Sequence, residues 1–277
     1  MPDLIYEKFP KKHYATLTIN RPERLNAAGR QLRLEWEEAL QDFESDTEMR
    51  CAIVTGKGRA FCAGADLKEM AEDNAARQLL EEEFTLGNIS LKTRDQRLKE
   101  LAPPQVDNFR ISFHPKPFIA AVNGICIGGG MERTMACDIR IASTEAYFGL
   151  FEAKRGIMAG YGIMHAARLM PYGDAMYLLL TTDRMSAEEA QRAGFVREVV
   201  EPDRLMPRAI EIAEMIAANA PLAVQGSKAM AATWRHMGME EVRRANEWVM
   251  RYVLESEDAK EGPRAFAEKR EPQWKGR

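Results

Sequence analysis

Cysteine and histidine are scarce in this chain of 277 residues, which has four of each. Cys51, Cys62, Cys126 and Cys137 stand among apolar or small residues with no C-x-x-C spacing. His13, His114, His165 and His236 show no ligand spacing, so both a zinc site and a disulfide scaffold are disfavoured. Buried, reduced thiols in a reducing compartment fit this usage better. Charge of one sign is also missing: the formal net charge is -3, too small a field to draw in nucleic acid or an anionic membrane. An anionic ligand must therefore be held by local groups. No apolar run approaches the length of a membrane span. The first residues, MPDLIYEKFPKKHYATLTI, put Asp, Glu and Lys where a signal peptide needs an apolar stretch, and they lack the Arg- and Ser-rich character of a transit peptide. A cytoplasmic protein is expected. There is no Gly-x-Ser-x-Gly elbow, which disfavours a serine hydrolase. Gly56-x-Gly58 lacks the remaining glycine and acidic partner of a dinucleotide fingerprint. Low-complexity segments and repeats of fixed period are absent as well, although a structural repeat beneath diverged sequence stays open.

What is present suits a soluble globular protein with a sizeable core: 45% of residues are hydrophobic and 29% charged. Residues 13–20 (HYATLTIN) alternate like a half-buried strand and are closed by Arg21-Pro22. In residues 31–45, Leu32, Trp36, Leu40 and Phe43 recur at helical intervals. The short apolar runs 50–55 (RCAIVT) and 118–122 (FIAAV) read as buried strands, each stopped by glycine, and 139–142 looks like a third. This alternation favours an α/β sheet architecture. Between Glu69 and Phe113 the chain turns charged and amphipathic and reads as one or two mobile helices, followed by Pro103-Pro104. From Ser186 onward helical patterns dominate, over residues 187–193, 204–218, 221–234 and 239–254, with no strand pattern of comparable strength. The chain divides accordingly into an α/β core, residues 1–201, and a helical C-terminal region, residues 202–277. Val242, Ala245, Trp248, Val249 and Tyr252 form an apolar stripe suited to core or subunit contact.

Two stretches carry chemistry. Ala60-Phe61-Cys62-Ala63-Gly64-Ala65-Asp66-Leu67-Lys68 follows a strand, and its small residues let a ligand come close to amides at a strand end or helix start. By itself it reads better as a tight turn into a helix. The second, residues 122–132 (VNGICIGGGME), carries three successive glycines, whose conformational cost a merely structural turn seldom needs. Two such backbone approaches suggest a two-donor oxyanion hole; close chain packing is the alternative.

Taken together, AFCAGADLKEM, AAVNGICIGGGMERTMACDIRIAS and FGLFEAKRGI resemble the paired signatures of the crotonase superfamily, whose members act on acyl-CoA thioesters. The likeness runs from about Tyr14 to the C-terminus, weakest over residues 69–113. It implies a spiral of ββα units with a helical C-terminal trimerisation region, in a homotrimer or dimer of trimers. It also implies that the amides of Ala65 and Gly129 form the oxyanion hole, and that Glu132 and Glu152 hold the water of a hydratase. Addition of water to an activated double bond needs a base for the water and an acid for the alpha carbon, so two carboxyls can share the work. The family assigns Glu132 to the first task and Glu152 to the second. Around coenzyme A the resemblance places Arg24, Leu25 and Ala27 near the nucleotide, and Ala63, Asp66, Leu67 and Lys68 about the pantetheine and adenine. Phe266 and Lys269 of the last helix would meet a neighbouring subunit's ligand. No metal and no separate cofactor are implied, because coenzyme A is part of the substrate.

Two departures from the family pattern concern the acyl group. Met158-Ala159-Gly160-Tyr161-Gly162 replaces the usual Pro-Gly-x-Gly-Gly loop, and Arg133 follows Glu132 where an apolar residue is usual. Tyr161 would narrow or hydrogen-bond the acyl pocket. Enoyl-CoA hydration is the favoured expectation. Its rivals are a carnitinyl-type dehydratase, which the terminal SEDAKEGPRAFAEKREPQWKGR resembles, a double-bond isomerase, and a catalytically silent acyl-CoA-binding subunit.

Overall fold

The computed structural model describes residues 1–102, 108–234 and 237–277; Pro103, Pro104 and His236 lie outside the described residues. In chain order the elements are β1 (Leu4–Phe9), β2 (Tyr14–Ile19), α1 (Arg30–Ser45), β3 (Cys51–Gly56), β4 (Ala60–Cys62), α2 (Leu67–Thr85), α3 (Leu91–Leu101), α4 (Asn108–Ser112), β5 (Phe118–Val122), β6 (Ile125–Ile127) and α5 (Gly129–Ala136). They continue with β7 (Ile139–Ser143), β8 (Tyr147–Gly149), α6 (Gly160–Leu169), α7 (Tyr172–Thr181), β9 (Met185–Ser186), α8 (Ala187–Arg192), β10 (Glu198–Val200), α9 (Pro202–Ala217), α10 (Pro221–Trp234), α11 (Met239–Glu255) and α12 (Glu257–Glu268). Short 3-10 turns occupy Pro10–Lys12, Pro22–Arg24 and Glu152–Arg155.

A six-stranded sheet runs in the order β1-β2-β3-β5-β7-β10 and a four-stranded one in the order β4-β6-β8-β9. From β2 to β10 the large sheet is parallel, and only the hairpin strand β1 is antiparallel. Each central strand of the large sheet passes at once into a short strand of the small one and then into helical backbone: β3-β4-α2, β5-β6-α5, and β7-β8 followed by the Glu152–Arg155 turn and α6. This is the ββα repeat that the diverged sequence conceals.

Strands β3 and β5 are buried along their whole length, because helices or the small sheet cover both faces, and such strands read as unbroken apolar runs. Their residues divide by the period of two. Ala52, Val54, Phe118, Ala120 and Val122 face the main core with Leu32, Trp36, Leu40 and Phe43 of α1. Cys51, Ile53, Ile119 and Ala121 face the opposite layer, which Leu205, Ala209, Ile212 and Ala213 of α9 close. The boundary drawn at Pro202 thus falls at the start of a helix that packs on the sheet.

The strands expected over 13–20, 50–55, 118–122 and 139–142 are present, as are the helices expected over 31–45, 187–193, 204–218, 221–234 and 239–254, with ends shifted by one or two residues. The charged segment folds as α2, α3 and α4. One correction concerns the C-terminal half, where β10 does return after Ser186. It has three residues, and its pairing with β7 rather than its own pattern makes it a strand. Strands β4, β6 and β8 are equally short, too brief for any period to show. All four cysteines are free and buried, and burial pushes the thiols of Cys51 and Cys137 up to about 12.

Candidate active site

Two loop-to-helix turns, one after β4 and one after β6, meet at the mouth of the small sheet. Beyond Cys62 the chain turns through Gly64, whose φ of +88° lies in the left-handed region that favours glycine. Ala65 then bridges Ala28: the Ala28 amide donates to Gly64 O at 2.7 Å and the Asp66 amide donates to Ala28 O at 3.3 Å. The amide of Ala65 lies between these bonds and takes part in neither. Beyond β6, Gly128 turns the chain into α5, so the Gly129 amide is one of the donors that a helix start leaves without an internal acceptor. A methyl on Gly64 would stand 3.2 Å from the Gly129 nitrogen, and one on Gly129 would stand 3.9 Å from the Ala65 nitrogen. Among the described residues no acceptor pairs with either amide. Two adjacent donors of this kind suit an oxygen that gains negative charge.

Both expected carboxyls border the same space. Glu132 lies in the first turn of α5, and its Oε1 accepts from the amide of Gly162, at 2.8 Å, in the first turn of α6. Glu152 opens a 3-10 turn and carries its Oε1 to 3.2 Å from where a methyl on Gly128 would stand. Its Oε2 is buried and has no hydrogen-bond partner among the described residues. Burial raises its pKa above the usual carboxylate value; its own backbone amide opposes this, the charge of Glu132 adds to it, and Arg155 opposes it. The result is a carboxyl biased towards its protonated form beside another that a backbone amide orients.

A cleft of about 270 Å³ joins these groups. Ala63, Gly64, Ala65, Gly128, Gly129, Glu132 and Glu152 line it, together with Leu67, Met70, Ile127, Phe151, Ile157 and Met158. Three arginines, Arg33, Arg133 and Arg155, border it too. Of the variant loop, Met158 and Gly160 line the cleft, and Gly162 holds Glu132. Tyr161 does not line it. The Tyr161 ring stacks on His165 with centroids 3.8 Å apart, and its hydroxyl hydrogen-bonds with Ser112. The expectation that Tyr161 narrows the pocket is therefore corrected: its position on α6 turns the side chain into the core.

Asn26 is fully buried and ties the loop carrying Arg24, Leu25 and Ala27 to the first oxyanion stretch. Its Nδ2 donates to Ala60 O at 2.6 Å and to Lys57 O at 3.0 Å, while Oδ1 accepts from the Arg21 amide at 2.8 Å. The Ala63 amide donates to Leu25 O at 3.0 Å. The loop is thus fastened beside the cleft without Arg24, Leu25 or Ala27 entering its wall. The Asp66 carboxylate caps α2 through the amides of Lys68 and Glu69 and pairs with Arg21 at 3.2 Å, so it acts within the fold. Leu67 borders the cleft and Lys68 is exposed. Phe266, 87% exposed, and Lys269 lie at the end of α12 and do not line the cleft of their own chain. Sequence reasoning passed over Asn26, Arg33, Arg155 and the Gly162 amide. An Asn four residues beyond Arg21-Pro22 and a cation beside Leu32 of the α1 stripe are the only signals the sequence offers for the first two.

The described residues contain no group of three or more His, Cys, Asp or Glu placed to hold a metal ion, and none of their helices is long and apolar enough to cross a membrane. Sheets, repeat and cleft define a crotonase-type protein. Residues 11–277 match the model of the enoyl-CoA hydratase/isomerase family, and the chain belongs to that family. It is 36% identical over 269 residues to the (E)-benzylidenesuccinyl-CoA hydratase of Thauera aromatica, covering 95% of this chain and 96% of that protein. It is 39% identical over 266 residues to a carnitinyl-CoA dehydratase of Salmonella arizonae, covering 94% of each. Among solved structures, enoyl-CoA hydratase from Mycobacterium tuberculosis superposes with a TM-score of 0.84 at 32% identity, over 100% of both chains.

Proposed function

We propose that this protein reversibly hydrates the 2,3 double bond of an enoyl-CoA thioester. The observation that carries the reading is one cleft holding two open amides and two carboxyls, one of them biased towards the protonated state. The thioester oxygen would accept from the amides of Ala65 and Gly129, which draws electrons from the conjugated double bond and leaves C3 open to attack. Glu132 takes a proton from water as the water oxygen bonds to C3. Glu152 gives its proton to C2, and the enolate charge on the thioester oxygen returns into the carbonyl. Loss of one amide donor would cost about 3 kcal/mol of transition-state stabilisation.

Coenzyme A enters as part of the substrate, so the reading asks for no resident metal or redox group. The loop with Arg24, Leu25 and Ala27, and residues Ala63, Leu67 and Lys68, would hold it, with Phe266 and Lys269 supplied by a neighbouring copy in a trimer or dimer of trimers. A cytoplasmic location agrees with this reading. Elimination of water from a 3-hydroxyacyl-CoA is the same chemistry reversed, and the likeness to a carnitinyl-CoA dehydratase supports it as the second reading.

Glu132→Gln and Glu152→Gln should each lower turnover by roughly 10²–10⁴, the range for a positioned acid or base, while binding of a saturated acyl-CoA stays within a few-fold. Loss of the conjugated enoyl-thioester ultraviolet absorbance reads the first quantity, and calorimetry reads the second. Turnover retained in both variants would sink the assignment.

A further inference from the structure

The cleft has a cationic wall that hydration does not use. Arg133 follows Glu132 on α5 and therefore leaves the helix about 100° further round its axis. It is 2% exposed and lines the cleft. One face of its guanidinium rests on Trp36 of α1, 4.4 Å from the ring centroid. Along its edge Nη1 donates to Cys62 Sγ at 3.8 Å, a weak acceptor, and Nε is buried with no acceptor among the described residues. A buried cation ordinarily has a carboxylate against it, yet no described carboxylate pairs with Arg133. Arg33 of α1 borders the same cleft, near enough to Arg133 that the two charges repel.

We propose that Arg133, assisted by Arg33, receives a second anionic group on the acyl chain, so that the substrate is the CoA thioester of a dicarboxylic acid and not of a plain alkyl acid. The proposal rests on the reading that the acyl thioester occupies this cleft. A carboxylate there would accept from the guanidinium edge that Trp36 leaves open and would neutralise a charge already buried. The phosphates of the coenzyme are the other source of negative charge. They suit a solvent-facing site, whereas Arg133 is enclosed beside Glu132.

The full-length protein is tested by initial rates with a short 2-enoyl-CoA ending in a carboxylate, with the methyl ester of that carboxylate, and with crotonyl-CoA. Calorimetry with two unreactive thioesters, glutaryl-CoA and butyryl-CoA, and with coenzyme A alone accompanies the rates. The carboxylate should be favoured in kcat/KM, and glutaryl-CoA in affinity, by roughly tenfold or more, the scale of one charge-assisted hydrogen bond. Arg133→Met should erase this preference while leaving the affinities for butyryl-CoA and coenzyme A unchanged. A parallel loss of affinity for coenzyme A would assign the arginine to the phosphates and overturn the proposal. Should Arg133→Met fail to fold, the wild-type comparison and Arg33→Gln, which should weaken the preference, decide the matter. If the ester or crotonyl-CoA is handled as well as the carboxylate, or butyryl-CoA binds as well as glutaryl-CoA, the proposal is wrong. Tighter binding of glutaryl-CoA with no hydration of any enoyl-CoA would instead leave the proposal standing and remove the hydratase reading.

Discussion

Glu152 differs from Glu132 in how its carboxyl is accommodated. Gly162 gives Glu132 an amide donor, whereas Glu152 has an oxygen buried without a partner and a pKa raised first by that burial. A carboxyl with a raised pKa keeps its proton to higher pH and loses it as the pH climbs through that value. If Glu152 is the acid in hydration, the fall of kcat/KM on the basic side of the pH profile is its titration. Arg155 pulls this pKa down, so Arg155→Gln should displace the basic limb to higher pH, read from initial rates across a buffer series. A limb that stays in place or moves to lower pH would assign the titration to another group.

At the level of the element, the decisive contact is between α5 and β4. Gly130 lies so close to β4 that a methyl on it would stand 2.1 Å from the backbone oxygen of Cys62, a distance no side chain tolerates. The helix can therefore approach the strand only with glycine at this position, and that approach brings the Gly129 amide beside Ala65. Gly130→Ala should destabilise the protein by about 2 kcal/mol or more, as overpacking does, measurable by chemical denaturation. The folded fraction should also show a lower kcat, because α5 and the Gly129 amide shift together. Unchanged stability and rate would show that this contact relaxes freely. The same packing explains why the glycine triplet stood out: Gly128 turns the chain, Gly129 presents its amide, and Gly130 allows the contact.

For the whole molecule, the C-terminal helices raise the question of what covers them. Helix α9 is built into the sheet, and α10 is tied down where Lys228 pairs with Asp138 at 2.8 Å. Further on, Trp234, Trp248, Tyr252, Leu254 and Phe266 are exposed, an apolar display of the kind that marks an interface. Sedimentation should find a trimer or a multiple of three. Trp248→Glu should release smaller species, and Phe266→Ala should raise KM for the CoA ester several-fold while sparing kcat, if a neighbouring copy completes the ligand site. A fully active monomer would refute this arrangement.

Much of this is legible in the sequence alone. Unbroken apolar runs marked β3 and β5 because both faces of a parallel sheet are buried. The spacing of Leu32, Trp36, Leu40 and Phe43 marked α1, and the small-residue stretches at Gly64 and Gly128–Gly130 marked where backbone amides are laid open. The candidate residues Ala65, Gly129, Glu132 and Glu152 came from the family motifs, which lie within or next to those stretches. Tertiary structure alone decided the rest. Strands of three residues carry no period, so the small sheet exists only through its pairing. The direction of a side chain such as Tyr161 depends on which face of its helix meets the core. The cationic wall joins Arg33 and Arg133, a hundred residues apart in sequence, and no local pattern encodes such a meeting, because it arises when α1 and α5 pack against one cleft.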